Sequence, residues 1–270
     1  MADTVRPVEA ARLRPLRGWT ATIAGWAPAA LLGIGGIAVW ELLVRALDVP
    51  RWLLPPPSSI VRELGDSAGL LARHTWITLQ EILLGFGVAF VVGVALAIAI
   101  AYSRTMERSI YPYVIASQTV PIIAIAPLLL VWVGPGQTSK VIIVALISFF
   151  PIVVNAVDGL RSADAEMISM FRTLGATRRQ IFARLQVPAS LPYLLSGVKV
   201  AAVVSVIGAV IGEWVGARGG LGWLMRVSAP QFHTARVFAA IVVLAAIGVV
   251  LFLIVGTIER WQLRHYRGHS

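Results

Sequence analysis

The chain has 270 residues, 58% hydrophobic and only 13% charged, with a mean hydropathy of +0.82, whereas about a quarter of residues are charged in a soluble domain. Its formal charge of +10 does not point to nucleic acid, because the basic residues fall in the gaps between apolar runs and form no basic face. There is no cysteine, which excludes disulfides and thiolate metal sites, and His74, His233, His265 and His269 lack paired ligand spacing, so no metal site is expected.

Six runs reach the roughly 20 mostly apolar residues of a bilayer crossing: about 26–47, 80–102, 110–133, 139–158, 188–215 and 236–258. The chain reads as an all-α polytopic membrane protein with six transmembrane helices. The first run follows an arginine-rich tail, but it is too long for a secretory signal and lacks an A-x-A cleavage site, so it is a retained span. Lys and Arg set the direction. The arginines of 6–17, 104–108, 161–184 and 260–267 outnumber those of 51–73 and 218–236, which places both termini and the 159–187 loop on the cytoplasmic side.

After the first span, Leu54-Pro55-Pro56-Pro57 is rigid, extended punctuation. Ile60, Leu64, Ala68 and Leu71 follow at helical spacing, which predicts an amphipathic helix on the outer surface. The chain therefore divides into a basic tail (1–25), the first span with its external loop (26–79), a core (80–258) holding the 159–187 loop, and a C-terminal tail (259–270).

Pro112, Pro121, Pro127, Pro151 and Pro192 bend helices inside the spans. Gln118-Thr119-Val120-Pro121 breaks the third span with hydrogen-bonding groups where a proline frees backbone carbonyls; it either lines a path or packs helices. Ser148 and Asn155 are uncharged polar candidates in the fourth span. Glu41, Glu81, Lys199 and Glu213 are ionisable groups within or near spans, where a charge is costly and suggests function. Glu41 and Glu81 lie near span ends, within reach of water. Glu213, late in the fifth span beside Trp214, is a gate, a path lining or an interfacial anchor. Gly208, Gly212 and Gly216 make two overlapping G-x-x-x-G units suited to close helix packing.

The loop 159–187 is long for a link between spans, 29 residues with five arginines, and it reads as helix, glycine, helix. Asp164 and Glu166 place negative charge in a first turn, and Gly175 follows Leu174 where a left-handed cap is wanted. Thr177 with Gln180 fits a capping box, and Ile181, Phe182 and Leu185 form a helical stripe until Pro188 ends the element. Such a segment is either a handle for a soluble partner or a connector on the membrane surface.

Chemistry of other kinds finds no residues. Gly134-Pro135-Gly136-Gln137-Thr138-Ser139-Lys140 does not meet the phosphate-loop order, and Gly33-Ile34-Gly35-Gly36 lies within a span. No G-x-S-x-G elbow, H-E-x-x-H helix or close carboxylate pair in a polar setting occurs, so no catalytic residues are expected. If ATP drives work here, another subunit hydrolyses it.

Arg172-Thr173-Leu174-Gly175-Ala176, then Leu185-x-Val187-Pro188 and Leu191-Pro192, resembles the cytoplasmic signature of permease subunits of binding-protein-dependent ABC importers: E-A-A, three residues, G, nine residues, I-x-L-P. Gly175 stands thirteen residues before Pro188, as the signature requires, but Ser169, Met170 and Phe171 occupy the E-A-A positions, with Glu166 one turn earlier. Residues 120–129, Ser148-Phe149-Phe150-Pro151 through Asn155, and Gly212-Glu213-Trp214 resemble the branch that carries nitrate, sulfonates, taurine and vitamin precursors. Ala116-Ser117-Gln118-Thr119 and 157–162 are most similar to pyrimidine or riboflavin importers.

The resemblance implies the type I ABC importer permease fold, N-in and C-in, in a prokaryotic inner membrane, with two copies around a homodimer axis. It implies coupling helices from the loop held in a cleft of a cytoplasmic ABC ATPase dimer, and an extracytoplasmic solute-binding protein that delivers a sulfonate- or nitrate-type anion or a pyrimidine- or riboflavin-like heterocycle. No cofactor is expected in this chain, since the partner binds ATP. The ATPase contact then comprises Glu166, Ile168, Ser169, Phe171, Leu174, Gly175, Ala176, Arg178, Arg179, Phe182 and Pro188, with Met167, Met170 and Ile181 completing an apolar face. Arg178 and Arg179 either tune that association or bind anionic headgroups. Gln118, Thr119, Ser148, Asn155 and Glu213 are the path candidates. An ion-coupled secondary transporter is the rival reading; it calls for internal repeats and several buried ionisable groups, and no repeat is visible.

Overall fold

A computed structural model describes residues 19–266, with side chains from 28 to 262. The tail with Arg6, Arg12, Arg14 and Arg17, the end with Arg267 and His269, and the side chains of Arg264 and His265 lie outside the described residues. Among those described, every regular element is helical: α1 (Trp19–Ala46), α2 (Pro57–Asp66), α3 (Ala68–Tyr102), α4 (Arg104–Ser117), α5 (Ile122–Val133), α6 (Gln137–Arg161), α7 (Ala165–Thr173), α8 (Arg178–Ile181), a π-helical turn (Phe182–Gln186), α9 (Val187–Gly216), α10 (Leu221–Ser228) and α11 (Thr234–Tyr266). By length and composition five runs can cross a membrane: Pro28–Ala46 of α1, α3, α6, Arg178–Gly216 and Thr234–Gln262 of α11. The pair α4 and α5 makes a sixth only if it is counted as one span bent by 100°.

That bend falls where the sequence puts the break, but it is far sharper than a bent single span over 110–133. Pro121 has no N–H to continue α4 and adopts extended backbone (φ −63°, ψ 117°) as the N-cap of α5. The Thr119 N–H and hydroxyl both donate to the Ala116 carbonyl, at 3.0 and 2.7 Å, and so satisfy a carbonyl at the end of α4. The second span also differs from expectation. Helix α3 starts at Ala68 rather than at 80, because only Ser67 separates it from α2 and the Leu71 N–H already bonds the Ser67 carbonyl at 2.9 Å. The amphipathic helix is therefore α2 alone, with Ile60 buried and Leu64 partly so; Leu71 is a buried residue of α3, and Ala68 is exposed.

Helix α6 lies between α3 and α9 and packs most extensively on both. Val144, fully buried on α6, explains the closeness. A methyl group added at Gly85 of α3 would lie 2.5 Å from Val144 Cβ, and one at Gly208 of α9 would lie 3.0 Å from Val144 Cα. At Gly212 the same addition would meet Lys140 at 3.2 Å, so Gly208 and Gly212 pack on α6, while Gly216 faces Leu130 of α5. Away from this centre the helices present apolar side chains outward. Leu31, Leu32, Val131 and Trp132 are each at least 70% exposed, a surface suited to hydrocarbon and not to water.

Candidate functional site

The 159–187 loop is shaped by an N-cap, a Schellman turn and a capping box. Asp164 precedes α7 and its carboxylate accepts from the Glu166 N–H at 2.8 Å. At the other end Gly175 takes φ +79°; its N–H bonds the Arg172 carbonyl and the Ala176 N–H bonds the Phe171 carbonyl, both at 2.9 Å, which is the full Schellman pair. The chain then enters α8 through the expected capping box. The Thr177 N–H donates to Gln180 Oε1 at 2.7 Å, and the Gln180 N–H donates to Thr177 Oγ1 at 3.3 Å. Both turns are thus locally determined, which fixes the angle between the two short helices.

Pro188 does not end the element, contrary to the sequence expectation. The helix runs from Arg178 to Gly216 through the π-helical turn. A proline here cannot donate to residue 184, and the preceding turn widens so that the Val187 N–H reaches the Phe182 carbonyl five residues back. The Gln186 side chain donates to the Leu160 carbonyl at 3.3 Å and ties this turn to the end of α6.

The loop's apolar residues fall on two faces. Met167, Met170 and Leu174 are exposed, Leu174 by 73%, and they share one side of α7 at three- and four-residue spacing. Ile168, Phe171 and Phe182 are half-buried and Ile181 is buried, turned toward the bundle. Ser169 and Thr173 spend their hydroxyls on carbonyls of their own helix, at 2.9 and 3.1 Å. Glu166, Arg178 and Arg179 are exposed, Ala176 and Pro188 are intermediate, and Arg178 is bonded to the Tyr102 carbonyl at the end of α3.

The five path candidates occupy unlike places. Gln118 and Thr119 are exposed at the break between α4 and α5. Ser148 is fully buried on α6, with no hydrogen-bond partner for its hydroxyl. Asn155, half-buried on the same helix, donates to the Pro151 carbonyl at 2.8 Å and lies beside Gly197. Glu213 is fully buried and caps a helix that sequence reasoning missed.

That helix is α10, whose N-cap, Gly220 (φ +103°), offers no side chain. Glu213 Oε2 accepts from the N–H groups of Gly222 and Trp223, and Thr78 Oγ1 accepts from the Leu221 N–H at 2.8 Å while donating to Glu213 Oε1 at 2.6 Å. His74 Nδ1 accepts from the Gly220 N–H at 3.0 Å, and its ring stacks on Trp223 at 5.2 Å. Every donor of the first turn therefore meets an acceptor supplied by α3 or α9. Glu41 does the same for α2, accepting from the Ser58 N–H at 3.0 Å where Pro56 offers no cap. One signal for this was present in the sequence: His74, Thr78 and Glu81 recur at helical spacing and so share one face of a helix.

Glu81 is buried beside this cluster. It ion-pairs with Lys140 of α6 through one carboxylate oxygen and leaves Oε2 without a hydrogen-bond partner. Lys199, read from sequence as a deep charge, pairs with Glu259 of α11 at 2.6 Å, near the end of the bundle that carries the loop. Among the described residues no group of His, Asp and Glu is arranged to hold a metal ion.

Comparison with known proteins places this geometry. The family described as "binding-protein-dependent transport system inner membrane component" matches residues 89–264. The formylaminopyrimidine transport permease of Halalkalibacterium halodurans is 40% identical over 83% of this chain and 89% of its own length. The riboflavin transport system permease of Chloroflexus aurantiacus is 36% identical over 84% and 86%, and the taurine transport system permease of Escherichia coli 30% identical over 85% and 87%. An inward-facing methionine ABC transporter superposes with a TM-score of 0.64 at 21% identity, covering 72% of this chain and 97% of that one; the likeness is one of fold.

Proposed function

Because this chain belongs to the family of inner-membrane components of binding-protein-dependent transport systems, as a permease of an ABC importer, we propose that it forms half of a translocation path worked by a separate ATPase. The loop end of the bundle faces the cytoplasm, and α7 and α8 are the coupling helices that a cytoplasmic ABC ATPase dimer grips. The observation that carries this reading is the exposed row Met167, Met170 and Leu174 on a helix pair fixed by a Schellman turn and a capping box. An apolar face presented on a rigid, polar-edged lever is suited to a protein groove. Glu166 and Arg179 rim the row, while Gly175 and Ala176 set its angle.

Two copies enclose the path, with Gln118 and Thr119, exposed at the α4–α5 break, as its best-supported lining. The energy is spent in the partner, and this chain holds no nucleotide. The cargo is a small polar solute handed over by an extracytoplasmic solute-binding protein. Relatives at 40% and 36% identity are permeases for a formylaminopyrimidine and for riboflavin, which favours a pyrimidine- or flavin-like heterocycle over a sulfonate.

The test is co-expression with a cognate ABC ATPase and solute-binding protein, followed by uptake into proteoliposomes. Uptake should require ATP hydrolysis, and Met170→Asp should abolish co-purification of the ATPase. Uptake by the isolated chain, or its collapse under a protonophore at constant ATP, would support ion coupling instead. Titrating the binding protein with pyrimidines, flavins and taurine decides the cargo.

A further inference from the structure

Two loop arginines lie over tyrosine rings: Arg161, at the end of α6, over Tyr111 of α4 at 5.3 Å, and Arg178, on α8, over the end of α3. The Arg178 guanidinium lies 4.4 Å from the ring centroid of Tyr102 and donates to the Tyr102 carbonyl. Phe182, one turn along, meets the same ring edge-to-face at 5.9 Å. Tyr102 is the last residue of α3, and Ser103 already starts the cap of α4. The Tyr102 carbonyl is therefore one of the four that a helix leaves without an internal partner, at the end where the helix dipole favours a cation. The capping box fixes Arg178 as the first residue of α8, so its direction is set before its side chain is.

We propose that Arg178 is a positioning residue that fastens α8 to the end of α3, so that a push on the loop moves α3 and not only α9, its neighbour in the chain. This rests on the loop being the ATPase's handle, as proposed above. Without the latch, α8 joins the bundle through the π-helical turn at 182–186, which runs directly into α9. With it, the load divides between two rods. A concavity of about 280 Å³ between Ala101, Ile168, Arg172 and Gln186 leaves the pair room to tilt. Helix α3 is 35 residues long, and at a rise of about 1.5 Å per residue it carries Glu81 and Thr78 about 32 and about 36 Å from Tyr102. The same rod thus joins the loop to the cluster that holds α10.

The test uses the complete transporter in proteoliposomes, with Tyr102→Leu, Arg178→Ala, both together, and Tyr102→Phe. Tyr102→Leu, which leaves the residues of the proposed ATPase contact in place, should still co-purify with the ATPase and allow ATP hydrolysis while losing part of its coupling, and in Arg178→Ala solute moved per ATP should fall about tenfold. The double variant should be no worse than Arg178→Ala, which already removes both the ring contact and the hydrogen bond to the carbonyl, whereas Tyr102→Leu removes the ring alone. Tyr102→Phe keeps the ring and the carbonyl and should transport as the parent does. Full coupling in Arg178→Ala would overturn the latch. So would loss of ATPase binding in Arg178→Ala alone, which would make Arg178 a partner contact, or loss of a dependence on anionic lipid, which would make it a headgroup ligand. Hydrogen exchange on the unaltered complex gives an independent reading: nucleotide should change protection at 98–102 together with 165–186, and a change confined to the loop overturns the proposal. Uptake that needs no ATP would overturn the permease reading itself, and the latch with it.

Discussion

Glu213 on α9 and Thr78 on α3, 135 residues apart in the chain, share a 2.6 Å hydrogen bond that holds the first turn of α10. Replacing Glu213 with Leu strands the buried N–H groups of Gly222 and Trp223, a loss of about 2–4 kcal/mol. The thermal midpoint of the detergent-solubilised protein should drop clearly, and Gln, which keeps an acceptor, should recover part of it. Equal midpoints for Leu and parent would show that α10 is held by its apolar contacts alone.

The Glu81–Lys140 pair lends itself to a double-mutant cycle. Lys140→Met leaves a carboxylate buried without its counter-charge and should cost about 3–5 kcal/mol. Adding Glu81→Leu removes that stranded charge, so the double variant should be more stable than Lys140→Met alone. Additive losses in chemical unfolding would exclude a mutually dependent pair.

Gly175 has open space around the position of a Cβ but a φ of +79°. Gly175→Val should therefore fail by backbone strain and not by collision, at about 2 kcal/mol, most of it local to the turn. The expected result is normal insertion in the membrane, weakened ATPase assembly and poor coupling. Unchanged coupling would count against a lever of fixed angle.

Glu63 of α2 supplies a pH-dependent tether to Arg236 at the start of α11. Burial pushes its carboxyl pKa up, but hydrogen bonds from Ser67 at 2.6 Å and Arg236 at 2.8 Å, with the Arg236 charge, outweigh that and leave it below the ordinary carboxylate value. The folded state thus holds the proton less tightly than the unfolded chain. The tether is complete above an unfolded pKa of about 4.3 and is lost as pH falls through the lower folded value. Melting curves of the parent and of Arg236→Met should converge as the solution is acidified through that window. Curves that stay parallel would remove Glu63 as the titrating group.

What could be read from sequence was local. The left-handed cap at Gly175 and the Thr177–Gln180 box each depend on residues within six positions of one another and have the expected form, and the break at Gln118–Pro121 falls where expected but turns the chain by 100°. Pro188 misled because its usual effect assumes a regular i to i+4 ladder before it, and the π-helical turn provides a different one. Helix α10 was missed because its cap is remote: Gly219 and Gly220 signal only a turn, while the acceptors are on α3 and α9. The apolar face of the loop was legible as a set, but its division into an outward row and an inward row depends on where α3 ends, which periodicity within the loop cannot reveal.

The two glutamates that cap short helices from neighbouring spans bear on any effort to exchange parts between relatives. A segment such as 217–233 is not a free-standing module, because the groups that saturate its backbone belong to residues 74, 78 and 213. A chimera that imports the segment alone inherits its open amides without their acceptors. Grafts that carry all three sockets along with the plug are the ones to build.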